Sequence, residues 1–342
     1  MKLTRCIGMS ILASSLLMGF TGTKLTQKAT KAGLKPIPTE KKALMKLIDP
    51  NNVITDKRVA LGKQLFFEPR LSKSGIISCN TCHNLGMGGV DGVPAAVGHN
   101  WVANPHHLNS PTVYNAVFFD AQFWDGRSHQ LEDQAQGPMQ AEPEMAAPRS
   151  LVEARINSIA EYVASFKEAY GKDVKVDFET ITATIGLFER TLVTPSRFDD
   201  FLNGKKDALT NAEKEGLNIF IDKGCATCHS GIALGGTMQP FQVAGKYKFA
   251  SLGDFKGDKK GLVKTPTLRN ITETAPYFHN GAIWSLAEAV KEMGSTQLGI
   301  NISNKEAAKI VTFFDALEGR KPETIYPQLP KSSAKTPKPD FK

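Results

Sequence analysis

The sequence predicts an all-α protein made of two homologous modules with long wrapping loops, and three observations carry that expectation. Apolar residues recur at helical spacing, no sustained period-2 run competes with them, and one ordered set of motifs occurs twice. A chain of 342 residues has room for two or three domains. Its 41% hydrophobic and 22% charged content sits close to the globular average, which excludes a chain disordered throughout and a multi-span membrane protein. The 29 glycines and 19 prolines call for more turns than a plain helical bundle contains.

At the N-terminus, Lys2 and Arg5 precede an apolar stretch over residues 7–20, the pattern of a secretory signal peptide and too short to span a bilayer comfortably. Residues 1–22 are read as that signal, with an uncleaved anchor as the alternative. Without Lys2 and Arg5 the net charge falls from +8 to +6, carried by scattered lysines, so the balance is read as solubility and no nucleic-acid partner is expected. Residues 23–46 are lysine-rich with little apolar content and read as a spacer. Between 151 and 170 the apolar positions Val152, Ile156, Ile159, Val163, Phe166 and Tyr170 recur every three or four residues, and 178–193 behave alike. Thr210-Asn211-Ala212-Glu213, Ser285-Leu286-Ala287-Glu288 and Ser303-Asn304-Lys305-Glu306 are capping boxes that open helices. Contacts between modules are expected to be sparsest over 195–206, giving domains 47–203 and 204–320. A Pro/Lys/Ser-rich tail, 321–342, is expected to be partly disordered.

Four of the five cysteines fall in Cys79-Asn80-Thr81-Cys82-His83 and Cys225-Ala226-Thr227-Cys228-His229; the fifth, Cys6, lies in the signal segment. C-x-x-C-H attaches c-type haem: the two thiols form thioethers to the vinyl groups, and the next histidine is placed under the iron. A Cys₄ zinc site fits poorly with pairs more than a hundred residues apart, and a redox disulfide needs no histidine. Around these sites the modules repeat. Pro111-Thr112-Val113-Tyr114-Asn115 matches Pro266-Thr267-Leu268-Arg269-Asn270, and Phe123-Trp124-Asp125-Gly126 matches Phe278-His279-Asn280-Gly281, each twelve residues after its proline. Leu131 and Leu286 each follow five residues after the glycine.

The sixth iron ligand separates an electron carrier from a catalyst. In the second module Met293, placed at the end of the helix opened at Ser285 and followed by the turn Gly294-Ser295-Thr296, is favoured over Met238, although a helical methionine is commonly core packing. In the first module His99, His106 and His107 follow His83 in a Gly/Pro-rich loop, and Met139 competes because internal alignment sets it beside Met293.

His83 with Val97-Gly98-His99, then Asn109-Ser110-Pro111-Thr112, Phe123-Trp124-Asp125-Gly126-Arg127, Gly137-Pro138-Met139-Gln140 and Glu144-Met145, resembles the bacterial di-haem cytochrome c peroxidase family. Thr274-Ala275-Pro276-Tyr277-Phe278-His279-Asn280-Gly281 and Met293-Gly294 agree, and the resemblance covers residues 48–326. It implies two cytochrome c-like domains, each with one covalent haem, in a periplasmic, homodimeric oxidoreductase of electron transport that reduces hydrogen peroxide with electrons from a small soluble cytochrome c or cupredoxin. By position it implies His83 and His99 on the peroxidatic haem, with His99 leaving on activation, and His229 and Met293 on the electron-accepting haem. It places Trp124 between the haems, Gln134 and Glu144 beside peroxide, His279 at haem propionates, and a calcium ion at Asn109, Thr274 and Pro276. Read alone, Glu144 is better taken as an exposed loop acid and Trp124 as a core aromatic, and His279 is equally a structural residue. The alternatives are a non-catalytic di-haem electron-transfer cytochrome and a related di-haem oxidase that modifies a partner's tryptophans; the latter branch carries a tyrosine in place of the axial methionine, so Met293 counts against it.

Overall fold

Two apolar cores organise residues 23–341, the part of the chain that the computed structural model describes; the signal-peptide reading of 1–22 lies outside these residues. The first core is built by helices Asp56–Phe66, Arg149–Asn157, Ala160–Tyr170 and Phe178–Glu189, which contribute Leu65, Phe66, Ile156, Phe166 and Ile185. The second is built by Arg197–Leu202, Asn211–Asp222, Leu286–Leu298 and Asn304–Phe314, through Phe198, Phe201, Phe220, Ile310 and Phe313. One close-packing device serves both. A Cβ at Gly62 would stand 2.3 Å from the Thr184 carbonyl oxygen, and one at Gly216 would stand 2.1 Å from that of Lys309, so each pair of crossing helices requires glycine.

Local signals account for most boundaries. Thr210 and Ser303 form complete capping boxes with Glu213 and Glu306, whereas Ser285 only accepts from the Glu288 N–H. The periodic stretch 151–170 divides into two helices at Ser158, whose hydroxyl donates to the Arg155 carbonyl at 2.6 Å. Among the described residues the only sheet is a two-stranded antiparallel pair, Met238–Pro240 with Leu262–Lys264, in register Met238 to Lys264. No helix among them is long and apolar enough to cross a membrane.

Helix Arg197–Leu202, ahead of the expected 203/204 division, sends Phe198, Phe201 and Leu202 into the second core. Two expectations about organisation need correction. The supposed spacer is folded: helices Lys24–Lys31 and Lys41–Ile48 flank a segment that buries Ala29, Leu34 and Ile37, with the Ile37 N–H on Asp199 Oδ1 at 2.8 Å. Ala29 and Leu34 join the second core and Ile37 packs in a small cluster with Val193, so low apolar density did not mean low burial. The tail runs extended along the first module. Buried Arg155 donates to the carbonyls of Pro337 at 3.2 Å and Lys338 at 2.9 Å, and Arg70 to that of Pro330 at 2.8 Å. Guanidinium donors from the other end of the chain supply the order that the tail's own composition does not.

The repeat is visible in the backbone. Asn115 and Asn270 both adopt left-handed φ, 63° and 58°, as do Phe123 and Phe278 at 64° and 69°. Both asparagine amides donate to one hydroxyl, Thr194 Oγ1, at 2.7 and 2.9 Å, so the residues that join the modules also lock the two repeats together. A fully buried ion pair, Arg269 with Asp199 at 2.7 Å, fixes the same region from the second module.

Candidate functional site

Each Cys-x-x-Cys-His motif occupies a tight helical turn. Cys79–Cys82 is one α-turn held by reciprocal Ser78 and Thr81 bonds, and Cys225–Thr227 is a 3₁₀ turn entered through left-handed Gly224. All four cysteines are free thiols, and burial pushes them up, Cys82 to about 12 and Cys225 to about 11. His83 Nδ1 lies 3.0 Å from the Pro111 carbonyl and His229 Nδ1 3.2 Å from that of Leu234. A carbonyl only accepts, so Nδ1 carries the proton in both rings and the Nε2 lone pair is left for a metal. Desolvation lowers both imidazoles, His229 to about 4, which keeps them neutral as ligands must be.

Two separate cavities open beside these motifs. The first is lined by Cys79, Cys82 and His83 together with Gln134, Met139 and Glu144, so the sequence-derived polar pair does face the site. Burial pushes the Glu144 carboxyl up, against the opposing charges of Arg127 and His106. The second cavity is lined by Cys225, Cys228 and His229 with His279 and Met293. Met238 is absent from that lining; its thioether packs on Gly126, where an added Cβ would meet the sulfur at 2.5 Å. Met293 reaches the cavity in a different way from that expected. Gly294-Ser295-Thr296 is helix rather than turn, because Gly294 packs on Ile302 and the helix continues to a left-handed Gly299 cap.

The candidate sixth ligands of the first module are dispersed. His99 is buried but does not line the cavity; its N–H donates to the Glu144 carbonyl at 2.6 Å and its Nδ1 has no partner. His106 pairs with Asp254 of the second module at 2.9 Å, and His107 Nδ1 is buried without a partner. Met139 is the one rival that faces the space.

Between the cavities lies a reciprocal junction. The Asn109 N–H donates to the His279 carbonyl at 2.8 Å, and the Lys264 N–H donates to the Trp124 carbonyl at the same 2.8 Å. Asn109 and Lys264 each stand two residues before the repeated proline, and Trp124 and His279 are repeat equivalents, so each module grips the other by the same bond. Trp124 lines both cavities, and its indole N–H is fixed on the Asn109 carbonyl at 2.9 Å. His279, lowered to about 4 by burial, packs 6.4 Å from the Trp124 ring and 5.2 Å from that of Phe255. Asn109, Thr274 and Pro276 all line the second cavity, and Asn109 Nδ2 is spent on the Val93 carbonyl at 2.8 Å.

Among the residues of the first cavity that sequence reasoning missed are Phe255 and Lys264, both reaching in from the second module, and Glu189. Burial raises the Glu189 carboxyl to about 8 and leaves its Oε2 without a partner. Lys264 carried a usable signal in its alignment with Asn109; Phe255 and Glu189 carried none.

The donor set fits c-type haem at each cavity: two unpaired thiols in a helical turn, a neutral imidazole with its outer nitrogen already satisfied, and an apolar chamber beside them. The comparisons agree. A family model described as di-haem cytochrome c peroxidase matches residues 56–207, and one for cytochrome c matches 213–318. Cytochrome c551 peroxidase of Pseudomonas aeruginosa is 44% identical, with 95% of this chain and 96% of that one aligned. The cytochrome c551 peroxidase of Nitrosomonas europaea is 41% identical over 98% of both. A solved MauG-like protein associated with microbial copper homeostasis superposes with a TM-score of 0.68 at 25% identity, covering 78% of this chain and 90% of that one. With identity of this level running through both haem-binding modules, the chain belongs to the di-haem cytochrome c peroxidase family.

Proposed function

We propose that this chain is a cytochrome c peroxidase that reduces hydrogen peroxide to two waters, with the first module as the peroxidatic centre and the second as the electron-accepting one. The observation that carries this reading is the asymmetry of two homologous cavities: the second adds the thioether of Met293 to His229, whereas the first offers the carboxyl and amide of Glu144 and Gln134 beside His83. Cys79, Cys82 and His83 would hold one haem, and Cys225, Cys228, His229 and Met293 the other. When bound, the haems supply one-electron iron centres, one of them with a position open to peroxide. Glu144 takes the proton from one peroxide oxygen and returns it to the other, a transfer that its buried position shields from bulk water. Gln134 orients the oxygens through its amide. Trp124, pinned by its indole N–H, fills the gap between the cavities and holds their separation constant. His99 would be the residue that holds the first iron at rest and that must leave it to admit peroxide.

The name of the relatives, cytochrome c551 peroxidase, supports a small soluble c-type cytochrome as donor, with a cupredoxin as the other candidate. Export to the periplasm by residues 1–22, a homodimer and a calcium ion at Asn109, Thr274 and Pro276 complete the proposal. Denatured mass spectrometry of the mature chain should show the mass of two added haems, and native spectra of the same sample should show a dimer that keeps calcium. One haem, or zinc alone, overturns the reading. Anaerobic peroxide titration of the half-reduced holoprotein, followed by absorption and EPR, should consume one equivalent per molecule; reduction of both haems with no consumption returns the protein to electron transfer alone.

Met293→His should lower the potential of the second-module haem by on the order of 0.1 V or more, within the ~0.8 V span that axial ligands command, because a thioether favours ferrous iron over imidazole. Spectroelectrochemical titration checks this, with Met238→Leu as a control that leaves the potential in place.

A further inference from the structure

Lys264 is a buried basic side chain that the mechanism above leaves unused. It ends the strand Leu262–Lys264 of the second module, is 3% exposed, and lines both cavities. Among the described residues no carboxylate pairs with it: its ammonium lies 5.0 Å from the centre of the Phe119 ring, and the charge that acts on it is that of Asp125, already bound to Arg127 at 2.8 Å. Burial lowers the ammonium to about 7, and its charge acts on His83. Without an anion beside it a lysine so buried tends to shed its proton, and with one it keeps its charge. Its backbone is fixed by the N–H bond to the Trp124 carbonyl, so the side chain is carried into the first cavity by the same reciprocal bond that joins the modules.

We propose that Lys264 is the cationic partner of a carboxylate of the haem bound in the first module. The second module thereby sets the charge around the first module's iron. A buried positive charge near an iron favours the state with one more electron, so Lys264 raises that haem's potential and draws electrons toward the peroxidatic side. The proposal rests on the haem assignment above, but its readout is a potential and a distance, and neither requires peroxide turnover.

The test uses holoprotein shown by mass to carry two haems. Lys264→Met keeps the apolar stem and removes the charge; spectroelectrochemistry should show the first-module haem at least tenfold harder to reduce, a fall of 59 mV for one electron, with the second-module haem moved less. Lys264→Arg should stay within threefold of the parent. Equal potentials in Lys264→Met and the parent, or an equal fall in Lys264→Arg, overturn the proposal. Should the Met variant fail to load haem, a crystal structure of the parent holoprotein decides: an Nζ hydrogen-bonded to a haem carboxylate supports the assignment, and an Nζ beyond reach of every haem carboxylate overturns it.

Discussion

Glu144→Gln is expected to lower kcat/KM for peroxide by about 10²–10⁴-fold, the usual cost of removing a positioned proton carrier. That is about 3–5 kcal/mol of barrier. The substitution keeps the volume of the side chain and its hydrogen-bonding capacity but removes its ability to take a proton from one oxygen and return it to the other. Nothing in the packing should change: the Glu144 backbone is held by its N–H on the Ala141 carbonyl at 3.0 Å and by the His99 N–H on its own carbonyl at 2.6 Å, and neither bond uses the carboxyl. Both haems should therefore load, and their potentials should match the parent. Stopped-flow mixing separates binding from cleavage, with a normal second-order encounter followed by a slow first-order step. A variant within tenfold of the parent removes Glu144 from the chemistry and turns attention to Glu189, the other buried carboxyl on that cavity.

What could be read from the sequence was whatever a short local pattern specifies. Paired Cys-x-x-Cys-His turns, the repeated Pro-Thr and Phe-x-x-Gly segments and the helix caps depend on residues a few positions apart, and the structure reproduces them. Met293 shows the limit. Its candidacy rested on a turn after it, whereas Gly294 is a contact glycine inside a continuous helix, a role set by Ile302 rather than by its neighbours in the chain. The N-terminal segment and the tail show the same limit from the other side. Their order comes from partners far away, Asp199 for Ile37 and Arg155 for Pro337, and composition carries no trace of such pairings. The first cavity was half legible for the same reason. Gln134 and Glu144 came from motifs within its own module, while Phe255 and Lys264 enter from the other one, across a junction that only the folded chain defines.

His99→Gly should convert the fully oxidised enzyme from one that needs prior reduction into one that reacts with peroxide directly. An iron held on both faces has no place for peroxide, so a resting enzyme that is 99% closed reacts about 10²-fold more slowly than its open form, and removing the closing ligand recovers that factor. His99 lies outside the cavity lining, and its loop is pinned by the bond to the Glu144 carbonyl and by Gly98, where a Cβ would meet the Pro143 carbonyl oxygen at 2.2 Å. The His99 Nδ1 is buried without a partner, an arrangement that costs free energy, so a move from this site to the iron would relieve that cost. The loop also touches the second module through His106 and Asp254, at 2.9 Å, which gives a change there a route to the gate. EPR of the oxidised variant should show a high-spin first-module haem, and peroxide should consume that signal without added reductant. A variant that stays low-spin and still requires reduction assigns the resting ligand elsewhere. Met139, which already faces the cavity, is then the first residue to replace, ahead of His106 and His107.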